Sequence, residues 1–125
     1  MTKKNYMWII LQIKQYWKPI TIVLLMSILV LSLYPLEKLP ELEGNDKTNH
    51  LLAYFLLAFP SGLKEPRRFV FFILVFVIFG GVIEIIQPFL NRSGEWFDFL
   101  ANCIGTILGF SVGAALSSLL LKFNY

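Results

Sequence analysis

The sequence predicts an all-α polytopic membrane protein, a four-transmembrane-helix bundle with an N-terminal interfacial amphipathic helix. Three observations carry that prediction. Charged residues are only 15% of the chain and hydrophobic residues 57%, whereas a soluble domain has about 25% charged. The mean hydropathy is +0.68. Four separate stretches stay largely apolar over the roughly 17 to 25 residues that a membrane-crossing helix needs. At 125 residues the chain has room for one compact domain and no separate soluble module.

Residues 1–18 come first. Tyr6, Ile9, Ile10, Ile13 and Trp17 recur at roughly helical spacing, and Lys3, Lys4, Gln12, Lys14, Gln15 and Lys18 fall largely elsewhere, as in a helix lying in the headgroup layer. A cleaved signal peptide fits poorly: Lys14 and Lys18 interrupt the early apolar run and no small-residue cleavage site follows. Residues 19–125 hold the four spans. The first runs over about 19–36, with Pro19 suited to a first helical position and Pro35 near its end. The second, about 47–63, is the shortest and begins with polar residues. The third, about 69–90, is the most hydrophobic yet carries Glu84 and Gln87 near its end. The fourth covers about 97–121.

Lys and Arg orient the spans, because cytoplasmic loops carry their excess. One side would hold Lys3, Lys4, Lys14, Lys18, Lys64, Arg67, Arg68 and Lys122, the other Lys38, Lys47 and Arg92. Eight against three puts the N- and C-termini in the cytoplasm of a multi-pass plasma-membrane protein. The same scatter of cations between apolar stretches argues against nucleic acid as a partner, despite a net charge of +3. Cys103, the one cysteine, reads as a small buried hydrophobe.

The polar residues then gather at the outer ends of spans two, three and four. Steps of four residues advance a helix by about 40° beyond a full turn, so Asp46, His50 and Tyr54 form one stripe, with Lys47 beside it. Gly80, Glu84 and Gln87 share a face of span three. Asp98 and Asn102 share a face of span four with Gly105, Gly109 and Gly113, whose small-xxx-small spacing suits close helix packing in lipid. The turn between spans three and four contributes Arg92. Charged groups in a membrane usually face protein or water and pair, so three polar stripes at one depth suggest a pocket. In it Asp46, Glu84 and Asp98 are acids, Lys47 and Arg92 their countercharges, and His50, Tyr54, Gln87 and Asn102 hydrogen-bonding groups. Each also has a plainer role. Asp46 suits a helix cap, Asp98 a first-turn acid favoured by the helix dipole, and His50 an interhelical donor. Glu84 lies near the C-terminal end of its span, where capping does not account for it.

At these residues the sequence resembles the VanZ-like membrane protein family: DKTNHLLAY at Asp46 to Tyr54, the Glu84 and Gln87 pair, Arg92, and the series Asp98, Asn102, Gly105 and Gly109. The resemblance spans about 35–113. It implies a small integral membrane protein of the cell envelope, in some members associated with low-level glycopeptide (teicoplanin) resistance, and it implies no particular reaction.

Three functions fit the residues. The first is a binding protein whose outward pocket takes a membrane-lipid headgroup or a lipid-linked cell-wall intermediate, or keeps a lipoglycopeptide from it. The second is a membrane-embedded enzyme on such a lipid, with Glu84 or Asp98 as general base, His50 as acid or base, and Lys47 and Arg92 holding phosphate. No metal-site spacing, phosphate-cradling loop or nucleophile elbow accompanies it, so no metal and no cofactor are expected. The third is a proton-coupled or lipid transporter carrying protons on Glu84. Four helices are few for alternating access and no inverted repeat is visible, so that reading requires a homo-oligomer.

Overall fold

Proline decides where the third apolar stretch leaves the α-helix. The computed structural model describes residues 2–34, 46–90 and 95–123, without the side chain of Asp46. Within them every regular element is helical: α1 (Lys3–Gln15), α2 (Trp17–Leu33), α3 (Asp46–Lys64), α4 (Phe69–Ile86) and α5 (Trp96–Lys122), with a 3-10 turn over Gln87–Leu90. The third apolar stretch, expected as one helix over 69–90, therefore divides. Pro88 has no N–H to offer the carbonyl four residues back, so the α-helix tightens into the turn that carries Gln87.

The first span begins at Trp17 rather than at residue 19. Pro19 fits the first turn of α2, where N–H groups have no intrahelical partner to lose. Between α1 and α2, Tyr16 leaves the helical region at φ −102° and ψ 26°, and the two axes bend by 78°. No residue of α1 is buried.

α4 and α5 are each long and apolar enough to cross a membrane, and the bent α1–α2 pair makes a third candidate if it counts as one span. Their outward side chains explain the composition: Val70, Ile78 and Ile85 on α4 are all more than 60% exposed. Apolar area of that kind marks a surface made for something other than water. α3, expected as the second span, falls short of that apolarity on its own. It is also the most enclosed helix, with Tyr54, Leu57, Ala58, Pro60, Ser61, Gly62 and Leu63 buried. A helix shielded by protein needs less apolar surface of its own, which accommodates its polar start and its Pro60.

α3 and α5 make the most extensive contact in the fold, and glycine makes it possible. A Cβ placed on Gly105, Gly109 or Gly113 would fall on the carbonyl oxygens of Leu51, Phe55 and Phe59 respectively, and one on Gly62 would meet that of Phe110. The rising register, four residues at a time on both helices, makes the pair parallel. Backbones this close exchange Cα–H···O contacts worth about 0.5–1 kcal/mol each. α4 runs against this pair: Phe72 stacks on Phe110 at 6.0 Å near one end, and Glu84 approaches Asp98 near the other. α2 runs with α4, since Trp17 meets Phe72 edge-on at 5.8 Å and Ser32 meets Gln87. Tyr54, Leu57, Ala58, Phe72, Phe76, Ile83 and Phe110 fill the centre. The aromatic end carries Lys64 and Arg68, whose guanidinium lies 4.5 Å from the Phe71 ring. The polar residues occupy the opposite end.

Gly109→Leu should force α3 and α5 apart and lower stability by about 2 kcal/mol or more. Leu108→Ala, at a residue 46% exposed, should change it little. Thermal unfolding of the purified protein in detergent measures both.

Candidate functional site

Three α-helices and the 3-10 turn deliver polar groups to one end. α3 supplies Lys47, His50 and Tyr54 from its first three turns, and α5 supplies Asp98 and Asn102 in parallel register beside them. α4 brings Glu84 from the antiparallel direction, and the 3-10 turn brings Gln87. Asp98, Asn102, Gln87 and Tyr54 are each at most 2% exposed. Burial so complete selects residues that hydrogen-bond or hold a ligand, since an unsatisfied polar group costs roughly 1–3 kcal/mol.

His50 is the hub. Its Nδ1 lies 2.9 Å from Asn102 Oδ1. An amide oxygen only accepts, so Nδ1 carries the hydrogen and donates. The other ring nitrogen, Nε2, lies 3.7 Å from Asp98 Oδ2. Glu84 completes a cluster in which one ligand-capable atom from each of His50, Glu84 and Asp98 falls within 4.8 Å of the others. Gly80, one turn before Glu84, leaves the room this needs: a Cβ there would stand 3.1 Å from the Tyr54 hydroxyl and 3.3 Å from Asn102 Nδ2.

Around the hub, Gln87 Nε2 donates to the Ser32 carbonyl at 3.1 Å, tying the end of α2 to the site. Lys47 pairs with Glu95 at 3.4 Å, both about half exposed, at the rim. Beside the cluster opens a cleft of about 330 Å³ lined by Gly81, Glu84, Ile85, Glu95, Trp96 and Phe99, with Trp96 packed on Phe99 at 5.5 Å between ring centres.

Of the residues singled out from the sequence, His50, Tyr54, Glu84, Asp98 and Asn102 come together. Gln87 stands next to them, turned to α2, and Lys47 reaches Glu95 at the rim. Arg92 and the side chain of Asp46 lie outside the described residues. The glycines Gly105, Gly109 and Gly113 sit on the α3 contact. Sequence reasoning missed Glu95, Trp96 and Phe99 as cleft-forming residues and the backbone carbonyl of Ser32 as an acceptor. The first three stand in the run EWFDF, where charged and aromatic residues in alternation at a helix start were the available signal. A backbone acceptor leaves no such trace.

Fold and site together define a class: a protein whose described elements are all helical, with membrane-type helices and a partly buried His–carboxylate cluster at one end of its bundle. Compared with known proteins, the chain matches no family model, no curated protein and no solved structure.

His50→Ala and Asn102→Ala should be non-additive, with a coupling of about 1 kcal/mol, the usual net worth of a hydrogen bond. Lys47→Ala and Glu95→Ala should couple by less, within about 0.5 kcal/mol, because their pair is solvent-exposed. A double-mutant cycle on unfolding midpoints reads both.

Proposed function

We propose that this chain is a VanZ-like integral membrane protein of the plasma membrane whose polar end faces outward and binds the headgroup of a membrane lipid or lipid-linked cell-wall intermediate. In this reading α1 lies in the headgroup layer, α2 to α5 each cross the membrane, and both termini are cytoplasmic. The Lys and Arg count supports that sidedness. So does the alternation of helix direction, with α2 and α4 running opposite to α3 and α5.

The observation that carries the reading is the cleft. Its Glu84 and Glu95 carboxylates are acceptors for hydroxyl or ammonium groups, and Lys47 beside Glu95 is a cation for phosphate. Gly81, Ile85, Trp96 and Phe99 form the apolar remainder of its wall. An amphipathic ligand with a charged head and an apolar tail is the chemistry such a lining matches. Occupying or shielding an envelope lipid in this way would lower the effect of a lipoglycopeptide that targets it.

Cells expressing Glu84→Gln or Asp98→Asn at wild-type membrane levels should lose any protection against teicoplanin that the unaltered chain gives, and Lys64→Ala should keep it. If protection survives both changes at the polar end, the reading fails. For sidedness, in a Cys103→Ser background Phe89→Cys should react with a membrane-impermeant maleimide in intact cells, and Arg67→Cys only after permeabilisation. The reverse pattern would turn the site to the cytoplasm.

The closeness of His50 to both Asp98 and Glu84 favours one second reading, an enzyme acting on the same lipid with a carboxylate as base. A lipid species that appears or vanishes on expression, and only with His50 and Glu84 intact, separates that reading from binding alone.

A further inference from the structure

We infer that the basic end of the bundle, opposite the polar cluster, is a docking surface for phospholipids whose headgroups carry a net negative charge. Cations from every helix gather there. Lys14 stands in the last turn of α1, Lys18 in the first turn of α2, Lys64 in the last turn of α3 and Lys122 in the last turn of α5. Arg67 and Arg68 stand between α3 and α4. Glu65 is the one acid among the described residues at this end. All six cations but Lys14 are exposed, and none is in an ion pair among the described residues. A cluster of Lys and Arg beside a membrane helix is drawn to an anionic leaflet.

The direction of α1 decides what kind of anion this end meets. α2 runs along the bundle beside α4, and α1 leaves it at a bend of 78°. α1 therefore lies nearly perpendicular to the bundle, in the plane of a membrane that α4 and α5 cross. None of its residues is buried, Tyr6 and Trp8 are more than half exposed, and Lys3 and Lys4 open its first turn. Exposed aromatic rings and lysines on one in-plane helix match a headgroup layer, which is apolar beneath and charged above. A nucleic acid on the same cations would leave those rings and the isoleucines of α1 in water.

Two of the cations are held over aromatic rings. Lys18 Nζ lies 5.8 Å from the centre of the Trp17 ring, and the Arg68 guanidinium lies 4.5 Å from that of Phe71 and 5.7 Å from that of Phe72. Trp17 meets Phe72 edge-on, so one run of ring contacts joins Lys18 of α2 to Arg68 at the start of α4. A guanidinium over a ring keeps its N–H edge for other acceptors, and phosphate oxygens fit that edge. A ring on the bilayer side and a phosphate on the water side are what a headgroup layer offers such a cation. The inference rests on α1 lying in the headgroup layer, and it is independent of what the cleft at the other end binds.

The test uses the full chain in phosphatidylcholine vesicles containing a trace of spin-labelled lipid, whose immobilised fraction reports retention by the protein. Spin-labelled phosphatidylglycerol should be retained about fivefold or more over spin-labelled phosphatidylcholine. In the wild type that preference should collapse between about 0.1 and about 1 M salt, where the Debye length falls from about 10 to about 3 Å. The combined variant Lys18→Gln, Lys64→Gln, Arg67→Gln and Arg68→Gln should lose it, and Lys18→Arg with Lys64→Arg should keep it. The inference is overturned if the wild type shows no preference, if the preference ignores salt or survives the combined Gln variant, or if Lys47→Gln removes it instead, which would place the lipid at the cleft. A polarity-sensitive dye on Trp8→Cys in a Cys103→Ser background reports α1 separately. Emission as in water would overturn the headgroup-layer position of α1 together with the inference, whereas membrane-like emission without a lipid preference would overturn the inference alone.

Discussion

The close parallel approach of α3 and α5 is the constraint on which the rest of the fold depends. Four glycines meet backbone carbonyls of the facing helix, Gly105, Gly109 and Gly113 from α5 and Gly62 from α3. In a membrane the hydrophobic effect does not press helices together, so close van der Waals packing and weak Cα–H···O contacts must do so. The same contact sets the register. Because Gly105 sits on Leu51, the turn before it on α5 sets Asn102 beside His50. A shift of one residue along either helix would separate the hydrogen-bonding partners and bring side chains onto the carbonyls.

That register makes the polar end affordable in energetic terms. Each carboxylate placed within a membrane costs a few kcal/mol on insertion scales, and the glycine contacts together return about as much as one such group costs. The remainder has to come from the cluster itself, through the His50–Asn102 hydrogen bond, the approach of His50 to Asp98, and whatever charge the site holds. These costs are concentrated at one end, beside the cleft lined by Glu84, Glu95, Trp96 and Phe99. The opposite end, with Trp17, Phe72 and Phe110 packed against one another, contributes stability without polar chemistry.

Much of the helical framework was legible in the sequence because lipid-facing helices are written in bulk hydrophobicity. The stretches over 69–90 and 97–121 map closely onto α4 with its following turn and onto α5. Spacing by fours grouped His50 with Tyr54, and Asp98 with Asn102 and the glycines. Other features depend on tertiary contacts that no local pattern encodes. α3 is enclosed by its neighbours, so its mixed composition says little about where it lies. Lys47 meets Glu95 rather than the buried acids because a lysine at the first turn of α3 stands at the rim. Gln87 turns to a carbonyl of α2, and Trp96 and Phe99 become cleft walls only once α4 is laid antiparallel to α5. The meeting of His50, Glu84 and Asp98 joins three segments separated by more than thirty residues at its widest step, so no local spacing could announce it.

The central claim is that the glycine contact holds the polar cluster together, and a distance measured between the two helices tests it most directly. Solid-state NMR on the protein in lipid, with the histidine ring and the asparagine side-chain amides labelled, reports the His50–Asn102 separation, which is 2.9 Å between Nδ1 and Oδ1 here. A strong correlation in the wild type that disappears in Gly109→Leu, while the helical signals persist, is the expected result. A correlation that survives Gly109→Leu, or that is absent from the wild type, would contradict the account.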